Sequence, residues 1–257
     1  MTKNCLIWQA SGLGDILFTL KIGAHYANHG YRVIWPVAAP YENLNDYIQV
    51  EGVEFFNQEN SFPYKENYSN FNMFRMTEII ETPDLTYVPL SQAFHSMAAK
   101  KILPSEGHEA SNMLGKYAMC GLEYSDWADY FSLKRDTAKE ERLYNLLERP
   151  EHIHLINKVF GTPPQWDISL TKEILGLPEF TQVNMRTIED FCIFDWAGII
   201  EKAEKIDTVA TATAFLFEKI DLNCVPTIHS RNKTLGAAQG DFKLMQKLYS
   251  KVYDYEP

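Results

Sequence analysis

An apolar run that breaks into a small-residue turn and then opens a helix constrains this chain more than any other feature. It reads Leu6-Ile7-Trp8-Gln9-Ala10-Ser11-Gly12-Leu13-Gly14-Asp15-Ile16-Leu17-Phe18-Thr19-Leu20. Gly12 and Gly14 let backbone approach a ligand with no Cβ in the way, and the N–H groups of a helix N-terminus behind them face outward to an anion. Ile16, Leu20, Gly23, Ala24 and Ala27 recur at helical spacing, and Gly30 is placed to stop the helix. Tyr31 to Val37 then reads as a second apolar strand, so the unit is β-turn-α-β and predicts parallel sheet. Asp15 is either a first-turn acid suited to the helix dipole or a reactive carboxylate at the rim of a ligand site.

A dinucleotide-binding turn is the first rival for this segment. Leu17 occupies the place of its third glycine, no acid closes the second strand, and Trp35-Pro36 stands at that end. These departures argue against nicotinamide or flavin binding.

At 257 residues and 46% hydrophobic content, the chain is large enough for one big or two modest cores. Its 24 basic and 34 acidic residues give a net charge of -10, which disfavours broad, nonspecific nucleic-acid binding. Cys5, Cys120, Cys192 and Cys224 lie far apart, as expected for reduced thiols. With no leader pattern and no spanning apolar run, the expectation is a soluble, cytoplasmic protein with no transmembrane segment.

Residues 41 to 75 are rich in Tyr, Asn, Glu and Phe without a sustained period, and predict loop with aromatic anchors. Thr86 to Leu90 predicts a strand, and Ser111 to Tyr130 a broken helix. The charged, amphipathic stretch from Lys134 to Pro150 predicts a solvated connecting helix between two domains, 1–148 and 149–257. After it the alternation resumes, with strands at His152–Asn157, Phe180–Met185, Ile206–Ala212 and Val225–Ser230. Lys158 to Pro164 predicts a loop, Trp196–Ala203 and Thr213–Ile220 predict helices, and Asp254 to Glu256 falls in an expected tail.

Three segments carry a resemblance: GLGDILFT from Gly12, FDWAGIIEKAEKIDTVATATAFLFEKI from Phe194, and VPTIHSR from Val225. Together they resemble the GT-B glycosyltransferases, most closely the heptosyltransferase-like surface-glycan enzymes. The resemblance implies an α/β fold of two Rossmann-like domains facing across a cleft, in a compact version. The N-terminal domain would serve the acceptor and the C-terminal domain the nucleotide-sugar donor. It also implies Asp15 as catalytic base, and a strand-to-helix turn near Thr211 that holds the nucleotide diphosphate. The middle of the chain is not covered. Where the family commonly has an acid, two small hydroxyl or glycine residues and a later His, this chain has Ala210, Thr211, Ala212, Thr213 and Phe215.

Glycosyl transfer with inversion needs a group to take the acceptor proton, and cationic or N–H donors for the leaving diphosphate. Asp15 fits the first role. The expected donor-binding residues are Gly12, Leu13, Gly14, Asn157, Lys158, Met185, Thr211, Ala212, Thr213 and Arg231. No metal or other cofactor is expected: His25/His29 and His152/His154 lack a third ligand nearby, and no Asp-x-Asp occurs. The expected partners are a nucleotide-sugar donor and a glycan or other hydroxyl acceptor, with no nucleic acid. The alternative is a catalytically idle relative that binds a nucleotide, glycan or partner protein. An Asp15→Asn exchange is expected to lower turnover by about a hundredfold or more while leaving donor binding and the melting temperature close to wild type.

Overall fold

The computed structural model describes residues 3–70, 76–102, 109–160, 166–167, 177–229 and 246–256. The chain forms two compact units, Met1–Ser132 and Leu133–Pro257. Each is built on a five-stranded, largely parallel sheet, so the fold is α/β.

The first unit runs β1 (Lys3–Ile7), α1 (Leu13–Asn28), β2 (Tyr31–Val37), α2 (Leu44–Tyr47), β3 (Ile48–Gln49), β4 (Val53–Asn57), α3 (Lys65–Asn70), β5 (Ile80–Glu81), β6 (Leu85–Val88), α4 (Met97–Ile102) and α5 (Glu109–Cys120). Its sheet has the order β4-β2-β1-β6-β5, parallel except for the short edge strand β5. Cys5, Leu6 and Ile7 of β1 are fully buried, as a central parallel strand covered on both faces requires. Helix α1 lies close on the sheet because Gly23 faces Trp35 and Val53, where a Cβ would come within 3.1 Å of either side chain. Helix α5 packs on α1 through Tyr117, whose ring meets Phe18 edge-on at 5.0 Å.

A two-residue strand, β7 (Ser132–Leu133), spans the junction. The second unit continues with α6 (Thr137–Leu146), β8 (Ile153–Asn157), β9 (Val159–Phe160), β10 (Trp166–Asp167), β11 (Thr181–Asn184), α7 (Ala197–Lys202), β12 (Lys205–Val209), α8 (Ala212–Phe217), β13 (Thr227–His229) and β14 (Asp254–Glu256). Its sheet, β11-β8-β12-β13-β14, is parallel throughout. Asp136 caps α6 by accepting from the Lys139 N–H at 3.0 Å. Arg135 then donates to Glu140 and Glu201, each at 2.8 Å, which fastens α6 to α7. The charged helix is thus packed into the second unit.

Three local expectations are corrected. The aromatic stretch 41–75 contains β4, whose Phe55 is buried against Trp35; pairing with β2 outweighs the irregular pattern of this edge segment. Val159 and Phe160 form a strand paired with β10, where loop is expected. Asp254–Glu256 is no tail but β14, joined to β13. The buried Glu218 carboxylate holds its approach, accepting from the Ser250 N–H at 3.0 Å and the Tyr253 hydroxyl at 2.6 Å. Lys251 Nζ donates in turn to the Phe217 and Ile220 carbonyls at the end of α8. Among the described residues, no helix is long and apolar enough to cross a membrane.

Candidate functional site

In an open parallel sheet, ligands collect beyond the carboxyl ends of the strands, where neighbouring strands lead off in opposite directions. In the first unit that seam lies between β1 and β6, because the chain proceeds from β1 to β2 and β4 on one side and returns on the other. The turn Trp8 to Gly12 leaves β1 there. It is fixed from both sides: the Ser91 N–H donates to the Trp8 carbonyl at 3.0 Å, and Trp35 Nε1 donates to the Gln9 carbonyl at 3.0 Å.

Gly12 is the N-cap of α1, in the left-handed region with φ of +79°, while Leu13, Gly14 and Asp15 begin the helix. A Cβ at position 12 would lie 2.5 Å from Asp15 Oδ2. Gly12→Ala therefore meets both backbone strain and a collision. It is expected to lower stability by about 1–2 kcal/mol, read as a shift in urea midpoint; a wild-type midpoint would show that the turn relaxes freely.

Asp15 has a partner that nothing local to it in the sequence marks. Lys116, from α5, donates to Asp15 Oδ1; its side chain is 1% exposed, against 32% for Asp15. Burial pushes the Lys116 ammonium below its ordinary range, and the Asp15 carboxylate pulls it back up. The signal was a single cation inside Met113-Leu114-Gly115-Lys116-Tyr117-Ala118-Met119. A lone lysine in an apolar run is ordinarily read as a solvated face.

In the second unit the seam lies between β8 and β12, and several expected donor residues gather there. Asn157, the last residue of β8, points its side-chain amide at three hydroxyls. Thr208 and Thr213 accept at 3.0 Å and Thr211 at 3.4 Å. Thr211 is also the N-cap of α8, accepting from the Thr213 N–H at 3.3 Å. Asn157 is 3% and Thr213 2% exposed, so they brace the turn from within. Met185 is buried too, its N–H bonded to the Ile156 carbonyl at 2.8 Å. Thr211 and Ala212 are half-buried and Lys158 is exposed, which leaves these three able to meet a ligand. Thr208 was not anticipated, and Arg231 lies outside the described residues.

The opposite face of the same strands carries a buried charge group. The Asp207 carboxylate bridges two imidazoles, His154 Nε2 at 2.6 Å and His229 Nε2 at 2.7 Å, with Lys205 Nζ at 3.5 Å. Burial pushes the Asp207 carboxyl up, but the bonds from His229 and His154 and the charge of Lys205 outweigh it and hold it at about 2. His152 does not share this group and faces Glu204 at 3.0 Å. The His25 and His29 rings meet tilted at 40°, 4.2 Å between centroids, and among the described residues no cluster of three or more His, Cys, Asp or Glu could hold a metal ion.

No protein-family model matches this sequence, and no curated protein sequence matches it. Two solved structures show a slight likeness to it. One is NodZ alpha-1,6-fucosyltransferase co-crystallized with GDP, at 16% identity and a TM-score of 0.27 over 61% of this chain and 60% of that one. The other is NodZ alpha-1,6-fucosyltransferase soaked with GDP-fucose, at 11% identity and a TM-score of 0.28 over 99% of this chain and 78% of that one. In the first match this chain spans 60% of the other protein's length. Likeness this slight carries no argument about activity, and the α/β architecture rests on the two sheets themselves.

Proposed function

We propose that this chain is a glycosyltransferase of the GT-B, heptosyltransferase-like kind, moving a sugar from a nucleotide-sugar donor to a glycan or other hydroxyl acceptor without a metal. The single observation that carries the reading is the Asn157, Thr208, Thr211 and Thr213 cluster at the β8/β12 seam. A buried amide that fixes the turn from within leaves the half-buried Thr211 and Ala212 at the end of a parallel strand, a neutral lip suited to a diphosphate. Lys158 adds a cation beside it.

In the reaction, Asp15 takes the proton of the acceptor hydroxyl. The freed electron pair attacks the anomeric carbon from the side opposite the diphosphate, the carbon–oxygen bond to the phosphate breaks, and the nucleoside diphosphate leaves with that bond's electrons. Attack from the far side inverts the anomeric centre. Charge on the departing phosphate is met by Lys158, the Thr211 hydroxyl and backbone N–H groups at the turn.

Calorimetric titration with ADP, UDP, GDP and CDP in the presence of EDTA tests the donor site. At least one is expected to bind, and Lys158→Ala is expected to weaken it by about 1 kcal/mol, the worth of one exposed charge-assisted bond. Absence of binding by every nucleotide, or affinity indifferent to both Lys158→Ala and Asn157→Leu, would overturn the reading. A second reading, a nucleotide- or glycan-binding relative without turnover, is favoured by one observation: the Asp15 carboxylate already serves as counter-ion to Lys116. Hydrolysis of a bound nucleotide sugar by the purified protein separates the two.

A further inference from the structure

Lys116 is a charge where an apolar side chain would pack as well. Its ammonium is buried in the interior of the first unit, where it meets Asp15 and, at 4.0 Å, Met113 Sδ. Among the described residues, Asp15 is the charged group that acts on it. A buried ion pair is rarely the most stable way to fill such space, since a hydrophobic side chain of similar volume avoids the desolvation. Its effect on Asp15 is specific instead. A carboxylate in the first turn of a helix, one-third exposed, has several rotamers open to it, and a fixed ammonium on Oδ1 selects one. Gly12 completes the arrangement from the other side: with no Cβ, it leaves space at Oδ2 that any other residue would fill.

We infer that Lys116 is the positioning residue of Asp15, holding Oδ1 so that Oδ2, beside Gly12, is the oxygen that receives the acceptor proton. The inference rests on the glycosyl-transfer reading of Asp15. It assigns Lys116 no contact with substrate and no proton of its own to give. It separates two jobs within one carboxylate: one oxygen is an anchor, the other the reacting atom. It also explains why the pair joins α5 to the first turn of α1, the point where small rotations of the carboxylate matter most.

Two measurements test it. First, the Lys116 ammonium is titrated by NMR, with lysine labelled at Cε, in wild type and in Asp15→Asn. Its midpoint is expected to fall in the variant, because the one group that raises it has lost its charge; an unchanged midpoint overturns the pairing. Second, donor hydrolysis is followed in Lys116→Met, which fills the same space without charge. There kcat is expected to fall about tenfold to a hundredfold while KM for the donor stays within about twofold, since an anchor acts on orientation and not on donor binding. Wild-type kcat, or a loss confined to KM, overturns the positioning role. If Lys116→Met does not fold, Lys116→Gln serves the same test. Turnover absent from wild type, with the coupled titration intact, would overturn the glycosyl-transfer reading and the catalytic part of this inference with it, while leaving the ion pair established.

Discussion

Asp15→Asn is expected to destabilise the protein by about 2–4 kcal/mol, because it leaves the buried Lys116 ammonium without its counter-charge. This reverses what the sequence alone suggests, where an isosteric amide near a helix start keeps most of its capping ability and the melting temperature stays put. The decisive fact is the partner. An uncompensated buried charge is far more costly than a lost exposed one, and the loss is softened only by Lys116 giving up its proton, which its burial already favours. The double variant Asp15→Asn/Lys116→Met removes both charges and is expected to recover most of the stability. Urea unfolding of the two single variants and the double variant measures the coupling; independent, additive effects would show that the pair is not formed. On the proposed function, Asp15→Asn also lowers turnover by about a hundredfold or more, and the double variant, though stable again, stays inactive. Recovery of stability without recovery of rate is the pattern that separates a base from a counter-ion.

Asp207→Ala is expected to lose about 3–5 kcal/mol, since it strips two buried imidazoles of their shared acceptor. The same carboxylate gives the fold an acid limit. Its folded value of about 2 lies below the ordinary carboxylate value of about 4, so its contribution is complete above pH 4 and is lost as pH falls toward 2. That contribution is about 2 kcal/mol by linkage. Wild-type stability should therefore decline between pH 4 and 2 through a component missing from Asp207→Asn. Parallel pH profiles for the two proteins, followed by circular dichroism in urea, would show that the bridge contributes nothing.

Hydrophobic periodicity and glycine placement made the backbone plan legible. The strand-turn-helix from Cys5 to Asn28 and the alternation from Ile153 to His229 are strong local signals, and the elements stand near their expected positions. Weak elements were missed for a common reason. Strands β4 and β14 are edges of the main sheets and β9 lies outside them, and they owe their form to a partner rather than to their own pattern. For the candidate site the division is similar. Asn157, Thr211 and Thr213 could be named because each ends a strand or opens a helix. Lys116 and the His154-Asp207-His229 bridge could not, because the first pairs residues 101 apart in sequence and the second residues 53 and 22 apart, and nothing local marks a lysine or aspartate as buried.

The order β11-β8-β12-β13-β14 also sets a timetable for assembly. Strand β8 is buried along its whole length, yet the strands that flank it begin only at Thr181 and Lys205. A chain emerging from the ribosome exposes this Ile- and Leu-bearing segment with both edges open until those later residues arrive. Strand β1 is in the same position, since the strands that flank it begin only at Tyr31 and Leu85. Each unit therefore passes through a stage in which its central strand has open edges, and the hazard of misassociation during synthesis falls on Lys3–Ile7 and Ile153–Asn157. Once β12 docks, growth continues outward through β13 to β14, each strand joining an edge already formed.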